Sequence, residues 1–373
     1  MPSSAPSHVA IIGGGIFGVS SAVHLLRRGV AVTLVTEGRI GGGASGRSLS
    51  WLNSSRMRSG AYHALRMAGI DRYRTLFARQ PEAPWLRFDG GLTWDADDSS
   101  NGIAAALAHE GSIGYDAQWL RGDEVAAVTP GVDARAITRA GAIFNPGEGW
   151  VDLPSLIGHL LVEFNRRGGQ LMENVGRATV VAQGGRTRAV RLGSGERIEA
   201  DAVLVAAGPW TPAVVAPLGI RLPEITPVSL LVKTRPLRHS LRAVLNTPRV
   251  AVRPTPDGAF VLDSGWSEEE VVTRPDGTYE VRDSTVQGLL HEARTVLEGN
   301  PVLEVETTGV GPKPIPADGD PVFGGCVDFC GCFVAFSHSG ATLGLIGGEL
   351  LAGEIVTGES HPFLASFRAA RFG

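Results

Sequence analysis

Over the first thirty-five residues the spacing of apolar positions changes twice. His8-Val9-Ala10-Ile11-Ile12 is a continuous, mostly β-branched apolar run, the pattern of a strand covered on both faces of a parallel sheet. From Val19 to Arg28 the spacing becomes helical, with Val19, Ala22, Val23 and Leu26 on one face. Arg27 and Arg28 close that segment, where a helix favours cations, and Gly29 stops it. Val30 to Val35 then restores a continuous apolar run, so the pattern predicts a βαβ unit. Further along, Thr179 to Arg191 and Glu196 to Ile198 read as strand–turn–strand, and Glu199 to Trp210 as a strand ending in Ala-Ala-Gly-Pro-Trp. Cys332 to Phe336 reads as a strand, and Ser337 to Gly344 opens a helix ending near Gly358. Residues 81 to about 140 are mixed and polar, whereas 221–314 hold β-like runs at Val228 to Lys233, Val250 to Val252 and Ala259 to Leu262, broken by Pro and Gly.

Glycines occupy the first strand-to-helix turn. Gly13-Gly14-Gly15-Ile16-Phe17-Gly18 satisfies G-x-G-x-x-G in the strand–turn–helix setting that gives the motif its meaning. Gly13 permits a tight turn, Gly15 lets backbone reach a pyrophosphate, and Gly18 allows close helix–strand packing. The pyrophosphate would sit at the helix start, on the backbone around Ile16 and Phe17. A second Gly-rich segment, Arg39 to Ser48, contains Gly43, Ala44, Ser45, Arg47 and Ser48. A hydroxyl and a guanidinium in such a loop can bind phosphate with paired donors.

Length and composition narrow the classes. A chain of 373 residues suits one or two domains, and 43% hydrophobic with 19% charged residues is a globular balance. A net charge of −4 argues against a nucleic-acid partner. No uninterrupted run of 18 apolar residues occurs, so no membrane span is expected, and the N-terminus lacks the basic start of a signal peptide. Cys326, Cys330 and Cys332 form no spread disulfide framework, which suits a reducing cytoplasm. Their spacing matches no zinc site, so no metal is expected, and their apolar setting predicts buried thiols.

From residue 8 to about 358 the chain resembles the FAD-dependent D-amino-acid oxidase/glycine oxidase/sarcosine oxidase family. The resemblance is carried by Gly13–Gly18, by Arg39–Ser48, by Ala206-Ala207-Gly208-Pro209-Trp210 and by Pro316-Ala317-Asp318-Gly319-Asp320-Pro321-Val322-Phe323-Gly324 with the strand and helix that follow. It implies an α/β fold, in which a Rossmann-type FAD-binding domain (1–80, 145–220 and 315–373) is interleaved with an antiparallel-sheet α+β substrate domain (81–144 and 221–314). The FAD contacts it implies are Gly13, Gly15, Ile16, Phe17, Gly18, Gly43, Ala44, Ser45, Arg47, Ser48, Arg177, Ala207, Gly208, Trp210, Ser339, Gly340, Ala341 and Thr342. Family members carry a ribose-binding Glu at the end of the second strand. Here that position is Thr36, with Glu37 one residue later, so either residue is a candidate. Residues 309–314 contain no Cys and 41–60 no His, so FAD is expected to be non-covalent.

The activity implied is oxidation of the C–N bond of a small amine or amino acid by hydride transfer to flavin N5. The imine then hydrolyses and O2 is reduced to hydrogen peroxide, with no general base required. The family's carboxylate-binding Gly-Leu-Arg-Pro is Gly311-Pro312-Lys313-Pro314 here, so Lys313 stands where the arginine would. Lysine lacks the bidentate fork, so standard α-amino-acid recognition is not expected; a longer or N-substituted amino acid, such as an N-substituted glycine or other secondary amino acid, would go with a repositioned cation. Arg56, Arg58, Arg253 and His338 are the other substrate-side candidates. The alternatives are a flavin dehydrogenase using another acceptor, a non-catalytic FAD-binding protein, and an NAD(P)-linked dehydrogenase, the last disfavoured by the Gly41–Ser48 stretch. A homo-oligomer is compatible with the sequence.

Overall fold

Both faces of His8–Ile12 are apolar, and the strand occupies the middle of a sheet, where Val9, Ala10 and Ile11 are wholly inaccessible. The computed structural model describes residues 5–327 and 329–373. His8–Ile12 pairs in parallel with Ala31–Val35 on one side and Ala202–Val205 on the other. Cys332–Phe336 continues the sheet in parallel, Val322–Gly325 closes that edge antiparallel, and Gln170–Met172 forms the opposite edge. The helix after the glycine motif runs Ile16–Arg27, starting a turn earlier than the hydrophobic spacing suggested, so Ile16, Phe17 and Gly18 are its first turn. Gly340–Thr357 packs against it. A Cβ at Gly348 would lie 2.2 Å from Ser20 Oγ, so the two helices approach more closely than any larger residue would allow. That second helix is long and apolar enough to cross a membrane, but 72% of it is buried inside the fold, as befits a core helix.

The chain forms two compact units from interleaved segments. The first comprises the chain through Gly46, Leu153–Pro227 and Pro312–Gly373; the second comprises Arg47–Asp152 and Val228–Gly311. Residues 47–80 and 145–152, which the sequence grouped with the Rossmann segments, therefore pack in the second unit. The reason is local pairing: Trp51–Leu52 is antiparallel to Gly149–Val151, and helix Gly60–Arg79 buries Tyr62, Leu65, Ile70 and Tyr73. Residues 221–227 belong to the first unit, where Ile225 N–H donates to Ile315 O.

The second unit is built on an eight-stranded sheet running, in spatial order, Val305–Pro312, Val228–Thr234, Phe260–Asp263, Ala251–Pro254, Val244–Asn246, Gly91–Thr93, Ala142–Asn145 and Gln118–Leu120. The pairing of Val244–Asn246 with Gly91–Thr93 is parallel and its neighbours are antiparallel. Helix Asp283–Val296 buries Val286, Leu289, Leu290 and Ala293 in the same core. One expectation fails for the cysteines. Cys326 and Cys332 are buried, but Cys330 is exposed, because its backbone joins Arg186 in an isolated bridge on the turn between the last two strands.

Candidate active site

In the first unit, residues from five distant segments meet at the ends of the parallel strands. Gly13 has φ +120°, and a Cβ there would lie 2.2 Å from the Ala206 carbonyl oxygen; at Gly18 it would lie 1.9 Å from that of Gly13. These two glycines are needed for packing. Gly15 is different, since its nearest neighbour would be Ser45 Oγ at 3.2 Å. Gly15 is the N-cap of Ile16–Arg27, so no cap side chain and no acidic residue covers the first turn. Ser45 Oγ accepts from the Ile16 N–H at 3.1 Å and fixes the Gly43–Ser45 loop to the helix start. Gly340 sits 3.5 Å (as a Cβ) from Ile16 Cγ2, which brings the start of Gly340–Thr357, with Ser339, Ala341 and Thr342, beside the first helix turn. His338 precedes it on an exposed loop. Two helix N-termini and one hydroxyl thus converge, a donor set that fits an anionic pyrophosphate.

At the flank of this cradle, Thr36 is buried with its side chain against Gly14. Glu37 is exposed and lies 3.5 Å from Arg177 Nε, and the Arg177 guanidinium stacks 4.8 Å from the Trp210 ring centroid. Ala207 leads into Gly208, whose φ of +58° starts the turn carrying Trp210. Lys313 is half-buried, and its backbone N–H donates to Pro227 O at 2.9 Å.

The second unit holds the remaining candidates, each in a different setting. Arg56 gives both terminal nitrogens to Asp95 at 3.0 and 2.5 Å, and its backbone N–H donates to Glu110. Burial opposes ionisation of Asp95, but the hydrogen bonds from Arg56 and from Gly102 N–H outweigh it and hold the carboxyl below its usual range. The charge of Arg56 is therefore already matched. Arg58 lies 5.8 Å from the Tyr62 ring, and its carbonyl is 3.0 Å from His109 Nε2. Arg253 is 2% exposed and lies 5.3 Å from the Trp150 ring. One terminal nitrogen donates to Pro254 O, Asp152 stays 3.8 Å away, and Nε has no partner among the described residues. Burial pulls its pKa down to about 10, so the cation is retained at neutral pH with little compensation. Arg47 lies along Gly309 and Gly311; a Cβ at Gly311 would come within 2.4 Å of an Arg47 terminal nitrogen. Ser48 Oγ accepts from Ser50 N–H in the same turn.

Residues 8–354 match the FAD dependent oxidoreductase family. The chain belongs to that family. It is similar to the glycine oxidase of Geobacillus kaustophilus, 25% identical over 97% of this chain and 96% of that protein. The glycine oxidase of Pseudomonas aeruginosa is 26% identical, over 88% and 89% respectively. In fold the chain resembles the crystal structure of the Geobacillus kaustophilus glycine oxidase with a TM-score of 0.82 at 22% identity, covering 99% of both chains. The Rossmann-type α/β fold and FAD as cofactor, both expected from the glycine-rich segments, hold for this FAD-dependent oxidoreductase.

The oxidoreductase also contains a buried polar network that no sequence pattern signalled. Glu148 is wholly inaccessible and accepts from Tyr115 OH, while Tyr115 in turn accepts from Ser54 N–H at 3.0 Å. Ser54 Oγ is 2.8 Å from His63 Nδ1, and Asn145 donates to Glu110 at 2.9 Å. Burial pushes the Glu148 carboxyl up to about 8, so it is protonated at neutral pH. In sequence, Asn145-Pro146-Gly147-Glu148-Gly149 is indistinguishable from an ordinary turn, because the hydroxyl that donates to Glu148 comes from Tyr115, 33 residues away.

Proposed function

We propose that this enzyme oxidises the C–N bond of a small amino acid or amine, with an N-substituted glycine or other secondary amino acid as the preferred substrate class. The product imine hydrolyses in water and O2 is reduced to hydrogen peroxide. The observation that carries the reading is Arg253, a buried guanidinium whose Nε has no partner among the described residues and whose ion pair with Asp152 is long, at 3.8 Å. Such a cation is suited to a substrate carboxylate, whereas Arg56 is occupied by Asp95. Similarity to glycine oxidases along nearly the whole chain supports the same class.

In this reading the first unit is the FAD-binding domain and the second the substrate domain. The backbone from Gly13 to Gly18, Ser45 and the Ser339–Thr342 helix start would hold FAD, with Glu37, Arg177 and Trp210 at the adenosine end. When bound, FAD supplies a hydride acceptor at N5. The start of Gly340–Thr357 favours negative charge placed before it, through its unsatisfied N–H groups and dipole. Arg253 orients the substrate by its carboxylate, and a neutral amine needs no proton removed before oxidation, so no side chain is assigned as general base.

The test is anaerobic mixing of the flavin-loaded enzyme with glycine, N-alkyl glycines and primary amines. Bleaching of the visible flavin band by a secondary amino acid, then recovery in air with one peroxide per turnover, is expected. Recovery only with an artificial acceptor would make it a dehydrogenase, and a bound flavin that no amine bleaches would overturn the proposal. Arg253→Gln should raise KM for the carboxylate substrate by about 10- to 100-fold, the worth of one charge-assisted hydrogen bond, and leave bound flavin unchanged.

A further inference from the structure

The second unit carries an open cavity of about 540 Å³ bordered by the last turn of helix Asp283–Val296, the segment around Asp133–Thr138 and the Thr247–Arg249 turn. None of its lining residues belongs to the set that would serve FAD or the oxidised substrate. Its size lies within the range of small-molecule sites.

The charges on its wall do not cancel. Asp133 is taken by Arg135 at 2.6 Å, and Glu292 by Arg249 at 3.1 Å. Arg249 also lies 4.8 Å from the Trp266 ring. Arg294 is left over. It makes no hydrogen bond or ion pair among the described residues, and its Nε is buried without a partner. The hydroxyls of Thr138 and Thr247 already donate to the carbonyls of Asp95 and Val250, so what they offer a ligand is accepting capacity. The donors left to a ligand are the guanidinium of Arg294 and the side-chain amide of Asn300, which also lines the cavity. Trp94, Pro248 and Val296 contribute apolar surface to the same cavity.

We infer that this cavity is a second ligand site, which takes a small organic monocarboxylate with an apolar body. The carboxylate pairs with the terminal nitrogens of Arg294, whose fork matches two oxygens. The hydrocarbon lies against Trp94 and Val296. A ligand with a single negative charge neutralises the cation that the lining leaves uncompensated among the described residues, whereas a cationic ligand would be repelled by it. The inference does not depend on which amine the flavin half oxidises.

The test is a 19F NMR titration of the flavin-loaded enzyme with 4-fluorobenzoate, with butyrate and inorganic phosphate as competitors and the flavin absorbance recorded in parallel. A saturable binding event that leaves the flavin band unmoved, persists in Arg253→Gln and is displaced by butyrate is expected. Arg294→Gln should weaken it at least 10-fold, and Ala136→Asp, which adds a negative charge to the wall, should do the same while turnover is kept. The inference is overturned if no such event occurs, if the only binding moves the flavin band, or if both variants bind as the parent does. Displacement by phosphate as effective as that by butyrate would overturn the organic-carboxylate assignment.

Discussion

Glu148 and His24 are both ionisable groups kept neutral by burial, and they act on stability at opposite ends of the pH scale. For Glu148, burial lifts the pKa from 4.5 to about 8, so the native state keeps a proton that the unfolded chain loses. Stability then falls as pH rises through that window, by up to about 1.4 kcal/mol per pH unit. Glu148→Gln should flatten the decline when denaturation midpoints are compared between pH 5 and 8. For His24, burial first and then the neighbouring Arg27 lower the pKa from 6.5 to about 4, so the unfolded chain binds the extra proton. Its contribution is present above pH 6.5 and is lost as pH falls toward 4. His24→Gln should remove that acid-side slope in the same assay. The sequence exposes residues whose role is local: Gly13 and Gly18 are identifiable from spacing alone, and the carbonyl oxygens 2.2 and 1.9 Å from where a Cβ would stand explain why. It does not expose the pairing of Arg56 with Asp95 or the neutrality of Glu148, because both depend on residues brought in from 33 or more positions away.

Secondary elements were legible wherever burial is uniform. His8–Ile12, Cys332–Phe336 and the helix ending at Gly358 follow directly from apolar runs bounded by glycine, and Gly358 caps with φ +75°. The start of the first helix was less visible, since glycine-flanked residues have no amphipathic signature until a full turn has passed. How two helices meet is less visible still. Gly347 and Gly348 let Gly340–Thr357 approach Ser20 and Phe17. Gly348→Ala should cost about 1–3 kcal/mol, the usual range for overpacking a core, seen as a lower melting temperature. Ser20→Gly in the same chain should recover part of the loss, because it removes the side chain that the new methyl meets.

For the whole molecule, an alternation of Rossmann-like and β-rich stretches is visible along the chain, whereas the points where it crosses between the two units are not. They are set by short strand pairings such as Trp51–Leu52 with Gly149–Val151, too brief to stand out in a linear pattern. The C-terminal segment is tied to the first unit by Arg368, which gives both terminal nitrogens to the carboxylate of the 5%-exposed Glu354 at 2.6 Å. Arg368→Ala should destabilise by about 3–5 kcal/mol, because a buried carboxylate is left uncompensated, and thermal unfolding would measure it. The sheet order carries a further consequence, for synthesis on the ribosome. The contact of Ser7 with Asp201 spans 194 residues, and the strand beside His8–Ile12 follows at Ala202–Val205. At roughly 5–20 residues per second, the first strand waits about 10–40 s with one long apolar edge unpaired. Nascent chains stalled in that interval should be the aggregation-prone, chaperone-seeking form of this enzyme.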